Sequence, residues 1–288
     1  IMQPVILHII LLGLIQGDAQ MLPVPSSAHV IVAEKLMRLD PSRPELTFLL
    51  VMLHTGTMAA AIAYFWRAWR LRFFANAAQS RESVRLAVVA TAWTGAVGYG
   101  LKIVIEKVFL GGGDKAEIEQ LFSSLPLIAA ALFVAGVVII WFAAASRKRA
   151  PARALNARTV SLIGVVQGLV IPFRGLSRSG CTISAGMLAG VPRQRAEEFS
   201  FGLGVAITPV FIAWEAARLL KANAAAAVPV HLVSLLLPGM VGMAASFLAA
   251  LVGLRWLSRW LENGKWHHFG SYCLVAAAVI FTLALGGF

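Results

Sequence analysis

Six stretches of this chain stay apolar for the roughly 20 residues a helix needs to cross a bilayer. They run over 46–66, 84–105, 125–146, 199–220, 229–254 and 268–287. Two further apolar stretches are interrupted. The first, 4–35, is broken by Gln16-Gly17-Asp18-Ala19-Gln20 and by Pro23-Val24-Pro25-Ser26-Ser27. The second, 159–191, is broken by Pro172-Phe173-Arg174-Gly175-Leu176-Ser177-Arg178-Ser179-Gly180. Each has two short apolar halves around a polar turn, which is the pattern of a re-entrant hairpin. Unwound backbone at membrane depth is tolerated only where protein buries it or a wet cavity meets it. The predicted fold class is an all-α integral membrane protein with six transmembrane helices and two re-entrant helical hairpins.

The two interrupted stretches echo each other. Gly13-Leu14-Ile15-Gln16-Gly17 resembles Gly164-Val165-Val166-Gln167-Gly168, and a serine follows each glutamine after ten residues, Ser26 and Ser177. The next spans also begin alike, Glu45-Leu46-Thr47-Phe48 against Glu198-Phe199-Ser200-Phe201. The chain therefore reads as two repeats, 1–146 and 147–288, each a hairpin plus three spans, integrated into one membrane domain. Three spans is odd, so the second repeat is inverted. Inverted repeats with broken helices place a polar site near the bilayer midplane.

Charge then sets orientation. Arg67, Arg70, Arg72, Arg81 and Arg85 follow the first span, and Arg147, Lys148, Arg149, Arg153 and Arg158 follow the third. Arg193 and Arg195 follow the second hairpin; Arg255, Arg259 and Lys265 follow the fifth span. All these loops fall on one side, expected to be cytoplasmic. The loop 106–124, with Glu106, Asp114, Glu117 and Glu119, falls on the other. The net charge of +12 is thus mostly topological, and with 59% hydrophobic and 13% charged residues the background is too apolar for a nucleic-acid binder. A mean hydropathy of +0.80 agrees. Cys181 and Cys273 give neither a disulfide framework nor a metal pattern. The first apolar stretch lacks a basic leader and carries Gln16, Asp18 and Gln20, unlike a cleavable signal peptide.

Ser177-Arg178-Ser179-Gly180 is the sharpest candidate for chemistry. It should open a short helix running to about residue 190. Gly175 and Gly180 let the backbone turn with its N–H groups bare, the helix start adds partial positive charge, and Arg178 adds a full one. Ser177 and Ser179 can cap the helix or bond phosphate oxygens, and Arg174, four residues earlier, can reach the same anion. An arginine deep in an apolar chain is costly and usually functional. In the first hairpin, Ser26 or Ser27 could attack phosphorus with His29 carrying the proton. Gln16 and Gln20 share one helix face and can orient water or phosphate, but amides are not general bases and are poor ligands for divalent ions. Asp18 points away from that face and is either catalytic or structural. His54, in Leu53-His54-Thr55-Gly56-Thr57, either lines the cavity or makes a helix–helix hydrogen bond. Trp66, Trp69 and Trp93 read as interface or packing aromatics, and Glu215 as an interfacial group. No P-loop, zinc or dinucleotide fingerprint is present.

These segments resemble the undecaprenyl-diphosphate phosphatase family, the BacA-type integral membrane phosphatases. The resemblance rests on Gln16-Gly17-Asp18-Ala19-Gln20-Met21-Leu22-Pro23-Val24-Pro25-Ser26-Ser27-Ala28-His29 and on Gly175-Leu176-Ser177-Arg178-Ser179-Gly180-Cys181-Thr182-Ile183-Ser184-Ala185-Gly186-Met187-Leu188. It implies removal of the terminal phosphate of a polyprenyl diphosphate at the outer face of the bacterial inner membrane, recycling the carrier for peptidoglycan. Ser26, His29, Ser177, Arg178 and Ser179 stand at family site positions. The family's paired glutamates fall on Gln16 and Gln20, Pro25 stands at a usual serine, and Arg174-Gly175 stands at Pro-Gly. The resemblance also implies a divalent cation, magnesium or calcium, against which the loss of both glutamates counts. Expected partners are a polyprenyl phosphate or diphosphate and the bilayer, with a homodimer as a candidate assembly. The missing glutamates leave a rival from another class, a flippase or transporter for a phosphorylated lipid, or a binder that does not hydrolyse.

Overall fold

The computed structural model describes residues 6–39, 44–109, 125–147, 154–173, 176–225 and 232–286. These residues are helical apart from turns and caps, with no strand among them. In chain order the helices are α1 (Ile6–Met21), α2 (Ser26–Leu36), α3 (Pro44–Arg72), α4 (Ala77–Phe109), α5 (Leu125–Arg147), α6 (Ala157–Val170), α7 (Arg178–Leu188), α8 (Arg193–Ala225), α9 (Leu236–Glu262) and α10 (His267–Leu285). Among them, α3, α4, α5, α8, α9 and α10 are long and apolar enough to cross a membrane, so all six expected spans are present. The two interrupted stretches become short helical pairs, α1 with α2 and α6 with α7, each pair packed together.

The helices overrun the expected spans at their basic ends. α3 continues to Arg72, α4 starts at Ala77, α8 starts at Arg193 and α9 runs to Glu262. A hydropathy window stops where charge begins, but arginine is a good helix former and favours a helix C-terminus. Most of the expected loop 67–85 is therefore helix, with a turn at Phe73–Asn76 where Asn76 Oδ1 accepts from Gln79 N at 2.9 Å. Most of the acidic loop 106–124, and Lys148, Arg149 and Arg153, lie outside the described residues.

The described chain forms two compact units, each drawing on both halves of the sequence. The first contains α1, α2, α3 through Phe65, α8 from Gly204 and α9 through Leu257. Its core joins Ile9 and Leu12 of α1, Val30 and Ala33 of α2, Leu39, and Leu46, Leu49 and Leu53 of α3. The second contains Pro23–Pro25, the end of α3, α4–α7, the start of α8, the end of α9, and α10. There Leu86 and Ala90 of α4 pack with Val160 and Ile163 of α6 and Phe199 and Leu203 of α8.

Small residues let the short helices approach their neighbours. Within the first unit, a Cβ on Gly13 would lie 2.9 Å from Gly242 O, and one on Gly17 would lie 2.6 Å from Ala249 Cβ. Within the second, one on Gly168 would lie 2.8 Å from Thr94 O of α4. The glycines of α1 thus meet α9, and that of α6 meets α4. Helices in lipid associate through such close packing, because the bilayer gives apolar faces no reason to leave it. Gly17→Ala is expected to cost about 1–3 kcal/mol, as overpacking does. A fall in the thermal unfolding midpoint in detergent would register it; an unchanged midpoint would contradict this packing.

The second unit also gathers the basic ends. Arg72 of α3 pairs with Glu198 of α8, Arg193 Nη1 donates to Leu261 O of α9 at 3.2 Å, and the Arg195 guanidinium lies 5.2 Å from the Phe73 ring centroid. Arg193 thereby satisfies a carbonyl at the C-terminal end of α9, where a cation is favoured.

Candidate functional site

In the first unit α1 and α2 present a directional chain of side chains. The nitrogen Nδ1 of His54 lies 2.9 Å from Leu50 O. A carbonyl only accepts, so Nδ1 carries the proton and Nε2 of the neutral ring accepts. Gln16 Nε2 donates to it at 3.2 Å and to Gln20 Oε1 at 3.4 Å. Ser26 Oγ donates to the same Gln20 oxygen at 2.7 Å. Gln16 is buried, while Gln20, Ser26 and His54 are half-buried. The i, i+4 spacing that pairs the glutamines thus also aims Gln20 at the serine of the next helix. His54 makes the helix–helix hydrogen bond considered for it, joining α3 to α1 through Gln16.

Asp18 turns the other way, as its spacing requires, and its Oδ1 would lie 3.3 Å from a Cβ on Gly253 of α9. His29 is half-buried on α2, one turn beyond Ser26. The Ser27 side chain, Arg174 and Gly175 fall outside the described residues.

In the second unit the expected short helix is present as α7. Ser177 is its N-cap and accepts from Gly180 N at 3.1 Å. Ser177 Oγ and Ser179 Oγ are 3.5 Å apart, and both serines are buried. Arg178 Nη1 is buried with no hydrogen-bond partner among the described residues. A buried cationic donor at a helix start is chemically suited to an anion. Gly180 is needed for packing: a Cβ there would sit 3.0 Å from Ile139 Cδ1 and 3.1 Å from Pro23 Cβ. Cys273 Sγ lies 3.9 Å from Pro23 O.

The glutamine positions do not suit a divalent cation. Gln20 Oε1 already accepts two hydrogen bonds, Gln16 presents nitrogen to its neighbours, and Asp18 faces α9. Among the described residues no group of three or more His, Cys, Asp or Glu could hold a metal ion.

One expectation shifts: Glu215 is 5% exposed, a buried rather than an interfacial group. Trp69 is a packing aromatic as expected, and its Nε1 donates to Glu198 O at 3.0 Å. Of the buried pair Glu197 and Glu198, only Glu198 stands out in the sequence, in the echo between spans, although an acid at the start of an apolar span already signals a partner. Ser258 Oγ donates to Glu197 Oε1 at 2.6 Å.

A polytopic helical membrane protein with a buried arginine at a serine-capped helix start is the class this fold defines. The sequence profile of the bacitracin resistance protein BacA family matches residues 9–279, and the chain belongs to that family. It is 50% identical over 281 residues to "Undecaprenyl-diphosphatase 2" of Acinetobacter baylyi, covering 97% of this chain and 98% of that protein. It is also 34% identical to "Undecaprenyl-diphosphatase 1" of Burkholderia pseudomallei, covering 93% of each, and 32% identical to "Undecaprenyl-diphosphatase" of Moorella thermoacetica, covering 96% of each.

Proposed function

We propose that this protein is a membrane-embedded undecaprenyl-diphosphate phosphatase that recycles the lipid carrier for cell-envelope synthesis. The observation that carries the reading is the buried, open Nη1 of Arg178 at the start of α7, in a chain whose relatives are named for that activity. Arg178 and the positive end of the α7 dipole hold the terminal phosphate and stabilise charge on its equatorial oxygens. By the family resemblance, Ser26 of the first unit is the nucleophile and His29 carries its proton. The bond from phosphorus to the bridging oxygen breaks, releasing polyprenyl phosphate, and water then hydrolyses the phosphoserine to free phosphate. The basic helix ends face the cytoplasm of a bacterial inner membrane, and the diphosphate arrives from the outer face. The two sequence halves form an inverted repeat with re-entrant hairpins.

Purified full-length protein in detergent should release inorganic phosphate from undecaprenyl diphosphate, and Ser26→Ala should lower the rate by about 10²-fold or more, the scale of losing a positioned nucleophile or base. Lipid binding without release would reject hydrolysis. A second reading has its own support: Gln20 offers Ser26 an amide where proton removal would call for a carboxylate. On that reading the protein moves or holds a phosphorylated polyprenyl lipid without cleaving it. Transfer of labelled lipid between proteoliposome leaflets with no phosphate release would favour it.

A further inference from the structure

Thr182 of α7 and Ser200 of α8 are fully buried hydroxyls within the second unit. Thr182 Oγ1 lies 2.8 Å from Arg178 O, 3.3 Å from Ser179 O and 2.6 Å from Ser200 Oγ. A threonine has one proton to give. Carbonyls only accept, so that proton goes to the nearer carbonyl, Arg178 O. Ser200 must then donate in the 2.6 Å contact. The reverse direction would set Thr182 lone pairs against both carbonyls. The chain therefore runs from Ser200 through Thr182 to the peptide carbonyl of Arg178.

Both ends of this chain are anchored. Two residues before Ser200, Glu198 is fixed through its carbonyl by Trp69 and through its carboxylate by Arg72, which also reaches Gln194 Oε1 at 3.3 Å. Further along α7, Trp266 Nε1 donates to Ser184 Oγ at 2.9 Å. Alternating apolar contacts would bury α7 equally well but would let it turn or slide. Buried hydroxyls that must find partners do not, since a slip of one residue leaves them unsatisfied at the cost of their desolvation.

We infer that Ser200 and Thr182 are positioning residues for Arg178, setting the rotation of α7 and so the direction of the guanidinium. Neither touches substrate; both act through the Arg178 backbone. This rests on Arg178 binding the terminal phosphate. Positional errors near an ångström are enough to lower a phosphoryl-transfer rate strongly.

The test uses the full-length protein, with phosphate release from undecaprenyl diphosphate read as kcat and KM beside the thermal midpoint. Thr182→Val keeps shape and removes the hydroxyl; it is expected to lower kcat about tenfold, more than it raises KM. Thr182→Ser is expected to restore most of that loss. Ser200→Ala should lower kcat about fivefold, the scale of one net hydrogen bond. The double variant should be no slower than Thr182→Val alone, because both changes break one chain. Unchanged kcat in Thr182→Val and Ser200→Ala, beside lost activity in Arg178→Ala, would overturn the positioning role. So would a serine variant as slow as the valine one. Full release by Arg178→Ala would instead overturn the phosphate-binding reading itself. Should Thr182→Val fail to fold, Ser200→Ala with its fivefold expectation decides alone.

Discussion

Replacing Arg178 with methionine is expected to lower kcat/KM for phosphate release by about 10²–10³-fold, the range seen when one preorganised donor to a developing charge is removed. The same change should leave the thermal midpoint unchanged or raise it. Arg178 Nη1 is a buried donor with no partner among the described residues, so the folded protein bears its desolvation cost. Methionine fills similar space with no polar atom to satisfy. Stability and activity should therefore move apart, as they do at sites strained for function. Arg178→Lys should recover only part of the rate, because an ammonium keeps the charge and loses the planar fork that matches phosphate oxygens. Initial rates and unfolding midpoints from one set of preparations measure both. An Arg178→Met protein that unfolds several degrees earlier while losing activity would mean that the arginine holds the fold together and that its open nitrogen has been misread.

Much of this architecture is legible in the sequence because a bilayer makes the coding simple. Length and apolarity alone find the six long helices, and polar turns find the two short pairs. The Ser177 cap is readable for a similar reason, since a serine before an apolar helix has few other uses. What stays hidden is helix length beyond the hydrocarbon and the choice of neighbours. Nothing in Arg67, Arg70 and Arg72 says that α3 continues through them, because topology and helix propensity both accept arginine there. Gly13 and Gly17 read in sequence only as part of a short echo of Gly164 and Gly168, and the fold shows that they seat α1 on α9. Thr182 and Ser200 are the clearest omission. Lone hydroxyls in apolar helices look like surplus polarity until each is seen to be the other's partner.

The pair Gln16 and Gln20 carries the second large expectation. Gln20 Oε1 accepts the Ser26 hydroxyl at 2.7 Å, so the geometry of proton removal exists while the basicity does not. In Gln20→Glu the same position would hold a carboxylate oxygen able to take that proton, and a positioned general base typically contributes about 10²–10⁴-fold. With His29 as the proposed proton carrier, the expected gain in kcat is smaller, about tenfold. Gln16→Glu alone should not help. It would replace the amide that donates to His54 Nε2 with an acceptor, forcing the imidazole to take up a proton or turn away. The double variant sets two carboxylates four residues apart on α1, hard oxygen ligands of the kind magnesium and calcium prefer. Its phosphate release should become sensitive to a chelator and recover with either cation, whereas the native protein should respond to neither. If the double variant is no faster and no more cation-dependent than the native chain, while Ser26→Ala still abolishes release, then the α1 face is not where the proton or the metal acts. The hydroxyl would then depend on His29 alone.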